Sequence, residues 1–188
     1  MSDVSLSTIF AGATFVVIAA TAIAAVVQLR HLRASNQLNA MLTIMELWNE
    51  PALQDQIAYV RGDLQRKIKD GGYVADLQLE IAKGPVTRSG HPEFFVLDLW
   101  EQVGAFMKYG LIDEAPLLDI VAPQVLGTWS QLEPIVACLR ERFGASAFEN
   151  VEYAAVRSRL WLDRHPEGTY PRGTPRMREV LARRAVER

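Results

Sequence analysis

Residues 5–29 read SLSTIFAGATFVVIAATAIAAVVQL, and no charged side chain occurs anywhere in residues 4–29. A helix needs about 20 apolar residues to cross a bilayer core of about 30 Å, so this run predicts a membrane-spanning helix. Ile9, Phe10, Phe15, Val16, Val17, Ile18, Ile23, Val26 and Val27 supply its bulk. Several of these are β-branched and would weaken a helix in water. Within lipid, every backbone amide and carbonyl must be satisfied inside the segment, which forces helix. A cleaved leader would open on a basic region, whereas this chain opens MSDVS, with an acid and no Lys or Arg. A buried helix of a soluble domain rarely runs so far without a charge. The run is therefore expected to stay in the bilayer as an anchor.

Arg30, His31 and Arg33 follow the apolar run directly, and only Asp3 precedes it. Basic residues collect on the cytosolic side of a span. The chain beyond the anchor is therefore expected to face the cytosol, with the anchor in the inner (plasma) membrane. Cys138 is the single cysteine; no intrachain disulfide can form, in keeping with a reducing compartment. Of all residues 49% are apolar and 22% charged, with 20 Lys and Arg against 22 Asp and Glu. Such a chain folds, and it lacks the basic surplus of a nucleic-acid binder, so no nucleic-acid partner is expected.

Charge divides the chain further. Residues 1–34 carry two Arg against Asp3, residues 35–163 carry 11 basic and 18 acidic groups, and residues 164–188 carry seven Arg and three Glu. Three parts follow: an anchor and juxtamembrane stem (1–34), an acidic helical domain (35–163) and a basic Pro/Arg-rich tail (164–188).

Within the middle part the apolar period is that of a helix. Leu38, Met41, Leu42, Met45 and Trp48 recur at three- and four-residue steps, so the membrane helix is expected to run on into the domain and stop before Pro51. A second helix opens at Pro51, carries Leu53, Ile57, Val60, Leu64 and Ile68, and ends at Asp70-Gly71-Gly72. YVADLQLEIAKG alternates like a strand at Leu77, Leu79 and Ile81, yet Val74, Leu77 and Ile81 fit a helix; a lone strand is unstable, so helix is expected. PEFFVLDLWEQVGAFMKYG forms another helix, with Phe95, Val96, Leu99, Val103, Phe106 and Met107 on one apolar face. PQVLGTWSQLEPIVACLRERFG forms the next, with Pro134 expected to kink or break it. Ser146-Ala147-Phe148-Glu149 has the pattern of a capping box and opens a last core helix running to about Asp163. The expected fold is all-α: a single transmembrane helix continuing into a cytosolic bundle of five to six helices.

The sequence holds few marks of catalysis. His31, His91 and His165 are scattered, without HExxH or paired Cys, and no phosphate-binding glycine motif or GxSxG is present. No catalytic residue, cofactor or metal is expected. Cys138 lies near an apolar helix face and reads as a core filler rather than a nucleophile. Asp98 and Glu101, three residues apart, read first as solvated surface charges. A second reading gives Glu101 a buried ion pair with Arg140 or Arg61 that fixes which helices meet, with Gly104 beside it allowing a close helix approach.

The combination of an amino-terminal membrane helix, an all-helical domain, Trp100-Glu101-x-x-Gly104 followed by Tyr109-Gly110-Leu111-Ile112-Asp113, and a Trp129 helix reaching Arg140 resembles a bacterial membrane-anchored family known as a domain of unknown function. The resemblance covers most of residues 1–160 and leaves the tail outside. It implies an interaction or regulatory module, with Trp100, Glu101, Gly104, Trp129 and Arg140 as structural markers.

The tail opens with spaced Pro and Gly as a linker, and Thr174-Pro175 can cap a short basic helix bearing Arg176, Arg178, Arg183, Arg184 and Arg188. It reads either as a frayed, solvated terminus or as a contact for the anionic leaflet or for the acidic domain itself. Ala13, Val17, Ala20 and Ala24 form a narrow stripe on the anchor that permits close helix approach and self-association. The expected partners are thus the lipid bilayer and either a second copy or another membrane protein. Two functions are open: a non-enzymatic interaction, assembly or regulatory module, or a membrane-tethered enzyme or ligand sensor with Glu101 and Arg140 in a polar pocket between helices.

Overall fold

A computed structural model describes the backbone of residues 2–84 and 86–186. The side chains of residues 2–7, 183, 184 and 186 lie outside the description; of the residues singled out above, so do Asp3, Arg183, Arg184 and Arg188. All described secondary structure is helical. Helix α1 (Ser2–Trp48) runs unbroken from the apolar segment into the domain. In its first part Ile9, Phe10, Phe15, Val16, Val17, Ile18, Ile23, Val26 and Val27 are all exposed. Its last turns join the core through buried Ile44, half-buried Met41 and Met45, and Trp48, whose ring lies 5.3 Å from that of Trp100. Glu50 is extended, the conformation favoured before proline, and Pro51 opens α2 (Pro51–Tyr59) where its missing amide costs nothing.

From α2 the chain passes through one π-helical turn (Val60–Leu64) into α3 (Gln65–Lys69). Gly62, the weakest helix former of the segment, lies in that turn, and the extra residue it takes up leaves Val60 and Leu64 both in the core. Gly71, at φ 79°, closes the run in a left-handed conformation that glycine adopts without strain. Helix α4 (Gly72–Lys83) settles the ambiguous segment: Leu77 and Ile81 are buried at 1% and 4% exposure, whereas Leu79 is 59% exposed. A strand would have placed all three on one face.

Helix α5 (Glu93–Lys108) is the centre of the bundle, with Val96, Leu97, Trp100 and Val103 fully enclosed. Phe94 rather than Phe95 enters the core; Phe95 is largely exposed beside Arg88. Helix α6 (Glu114–Phe143) starts well before the expected Pro123, because Asp113 caps it by accepting from the Ala115 amide at 3.2 Å. Pro116 falls in the first turn, where amides have no helical partner. Of the kink or break expected at Pro134, the break does not occur: α6 continues through Pro123 and Pro134. Burial of Leu132, Ile135, Val136 and Leu139 offsets the roughly 3 kcal/mol cost of an interior proline. Glu114 pairs with Arg157 and Arg140 with Glu152. These two α7 residues are only five positions apart, whereas a straight α6 would separate its own two by about 39 Å, so α6 bends over α7. Helix α7 (Glu149–Arg164) packs on α5 and α6, and α8 (Met177–Val186) follows in the tail.

Candidate functional site

Two side-chain constellations stand out among the bundle's polar groups. The first joins α5 to the start of α7. The expected capping box does not form: Ser146 makes no cap, and Phe148 precedes α7 at φ 53° with no side-chain bond of its own. Glu101 does the capping from across the fold. Its Oε2 accepts the backbone amides of Asn150 at 3.1 Å and Val151 at 3.0 Å, and its Oε1 accepts the Asn150 side-chain amide at 2.8 Å. A carboxylate on the free amides of a helix start also meets the positive end of the helix dipole. Gly104, one turn on, makes this possible: a Cβ there would lie 2.0 Å from the Asn150 carbonyl oxygen.

Arg140 serves the same junction by another route, so the expected Glu101–Arg140 ion pair is not present. Its Nε donates to the Ala147 carbonyl at 3.0 Å, and its guanidinium pairs with Glu152 at 2.8 Å. Arg61 is exposed on the π-helical turn and pairs with neither. Each group has other partners at the α6–α7 junction: Glu101 takes the first amides of α7, and Arg140 takes the Ala147 carbonyl before α7 and the Glu152 carboxylate on it. Lys108 adds an outer bond to Glu149 at 2.8 Å, which raises the lysine's pKa and lowers the glutamate's. Trp100, beside Glu101, is fully buried with its indole N–H unpartnered, and half-buried Trp129 packs on the core from α6.

The second constellation went unread in the sequence. The Tyr73 hydroxyl donates to Glu93 Oε1 at 2.6 Å, His91 Nδ1 lies 2.9 Å from the same oxygen, and His91 Nε2 lies 3.0 Å from Glu80. Glu93 is completely buried and its Oε2 has no partner; His91 is buried and stacks on Phe94 at 5.2 Å. Burial alone would lower the His91 pKa, but the bonds to Glu80 and Glu93 outweigh it and raise the value. The same bond lowers that of Glu80. Burial and the Glu93 carboxylate push Tyr73 far above its ordinary range, so it remains a donor. The network ties the loop after α4 to the first turn of α5. One sequence trace existed: Tyr73 and Glu80, seven apart, share a face of α4.

Among the described residues no three His, Cys, Asp or Glu side chains gather as a metal site. Cys138 is buried, and burial with nearby Glu141 raises its pKa, which disfavours the thiolate. Ala13, Ala20 and Ala24 are exposed along α1. A groove of about 390 Å³ lies between the end of α1, α2 and α5, walled by Leu47, Leu53, Phe95 and Leu99. The Trp100–Glu101–Gly104 face thus has a structural purpose in this architecture, and a family model supplies the context. A model described as a domain of unknown function, DUF4760, matches residues 15–158. The chain belongs to the DUF4760 family. The DUF4760 match opens inside the apolar helix and closes in α7, so it takes in both halves of the Glu101 cap and leaves the basic tail outside. No curated protein and no solved structure matches the chain.

Proposed function

We propose that this DUF4760 protein is a single-pass membrane protein whose helical domain stands on the cytosolic side and serves as an interaction, assembly or regulatory module. One observation carries the reading. The stretch of α1 with mean hydropathy 2.4 has none of its surface covered by the domain, yet the same helix continues without a joint into the core. Residues 8–29 span about 33 Å as helix, the thickness of a bilayer core. Exposed Arg30 and Arg33 at its end support the cytosolic side. The exposed Ala13, Ala20 and Ala24 stripe supports self-association, with another membrane protein as the other partner.

The module reading is favoured over a tethered enzyme or ligand sensor because Glu101 and Arg140, the groups such a pocket would use, are engaged in holding α7. The tail is read as a further contact for anionic lipid. Thr169 hydrogen-bonds Asp119 in the second turn of α6, which brings the tail to that end of the domain. Orientation is tested with an impermeant maleimide on intact cells carrying Cys138→Ala and Asp55→Cys. Labelling only after the membrane is opened supports the cytosolic side, and labelling of intact cells overturns it. Copurification from native membranes in mild detergent identifies what the module binds.

A further inference from the structure

A second exposed surface lies at the turn between α5 and α6. Helix α5 runs back along the stem of α1. Trp100 meets Trp48 at the far end, and the α5–α6 turn returns to the stem near the membrane. Gln37 donates to the Gly110 carbonyl at 3.5 Å, and a Cβ at Gly110 would lie 3.9 Å from the Arg33 guanidinium. Ala34, Leu38 and Met41 of α1 line one small cavity with Ile112 and Pro116. Arg33 and Gln37 stand four and eight residues past the last apolar residue of the span, about 6 and 12 Å along a helix. The turn is therefore held at the height of the lipid headgroups by the helix that would cross the bilayer.

Its exposed side chains suit that layer. Tyr109 is 72% and Leu111 55% exposed, while Ile112 turns inward to the core. Lys108 lies over the Tyr109 ring at 5.9 Å. A tyrosine with one polar end and an aliphatic side chain settle at a membrane interface, and Lys108, its ammonium held by Glu149, adds its long apolar stem beside them. Arg30 and Arg33 add positive charge at the same level, and the nearby Asp113 carboxylate is occupied by the Ala115 amide. We propose that the turn of residues 109–111 rests in the interface of the bilayer that α1 crosses, so that the domain lies against the membrane on two contacts instead of standing off on a stalk. The proposal depends on the anchoring reading above.

The test uses the full chain with Cys138→Ala, reconstituted in phosphatidylcholine–phosphatidylglycerol vesicles. An environment-sensitive fluorophore is placed in turn at Leu111→Cys, Phe15→Cys and Asp55→Cys. All three native side chains are exposed, so the substitutions leave the core intact. Spin-labelled lipid is expected to quench positions 15 and 111 and to spare position 55, with a blue shift at 111 on reconstitution. Quenching at 15 with position 111 still open to aqueous iodide overturns the proposal and leaves the anchor standing. No quenching at 15 overturns both. Shielding of 111 from iodide without lipid quenching means that protein covers the turn, which also overturns it.

Discussion

Gly104 and Glu101 act as one device: the glycine lets the α7 backbone approach, and the carboxylate then reaches its free amides. Gly104→Ala should destabilise the domain by about 3 kcal/mol, since the contact is with backbone and only a shift of α7 relieves it. Glu101→Ala leaves two amides without acceptors and should cost roughly 2 kcal/mol, whereas Glu101→Gln keeps an acceptor and should cost less. Denaturant unfolding of the full chain in detergent ranks the three variants. His91 gives a pH dependence of definite sign. Its folded-state pKa is raised from 6.5, so its bonds stabilise fully below that pH and are lost as pH rises through the folded value. Glu80 is lowered from 4.5, so its contribution is present above that pH and fades as acid is added. Tyr73, Glu80 and Glu93 are the titratable groups bonded to the imidazole. Tm should fall as pH is raised above 6.5, and Glu80→Gln should flatten that fall; an unchanged slope in the variant refutes the assignment.

Helix α1 is the element on which assembly depends. If its small-residue stripe pairs two copies, Ala20→Leu with Ala24→Leu should weaken self-association about tenfold, roughly 1.4 kcal/mol, with the domain's unfolding unchanged. Energy transfer between labelled copies in vesicles reads this directly. The elements themselves were largely legible in the sequence, because α1, the run from Pro51 to Lys69, α4 and α5 each repeat apolar residues at the helical period and stop shortly before Pro or Gly; the π-helical turn that divides α2 from α3 was not. Two features of α6 were not. Its start hid before Pro123, because prolines in a first turn and prolines that break a helix look alike until the capping Asp113 is seen in place. Its passage through Pro134 depends on burial between α4 and α7, which no local pattern records. The α7 cap was misread for the same reason. A local Ser-x-x-Glu box was available, but the acceptor that reaches the amides comes from Glu101, about fifty positions earlier. The His91 network likewise joins two elements through a crossing geometry that spacing along the chain does not encode.

At the scale of the molecule, one unbroken helix couples a span of bilayer length to the core, so the domain's height and tilt follow from α1 rather than from a linker. The family match supports treating the two as a unit, since it covers the later part of the apolar run together with the bundle. It left unread, as the sequence did, that the α5–α6 turn returns to the stem beside Arg33 and Gln37, because only the antiparallel course of α5 against α1 brings it there. The proposed anchoring is tested most directly by alkaline carbonate extraction of native membranes holding the full-length chain. Retention of the intact, uncleaved protein in the membrane pellet, with release only by detergent, is the expected result. Recovery of the intact chain in the carbonate supernatant as a soluble species would contradict it.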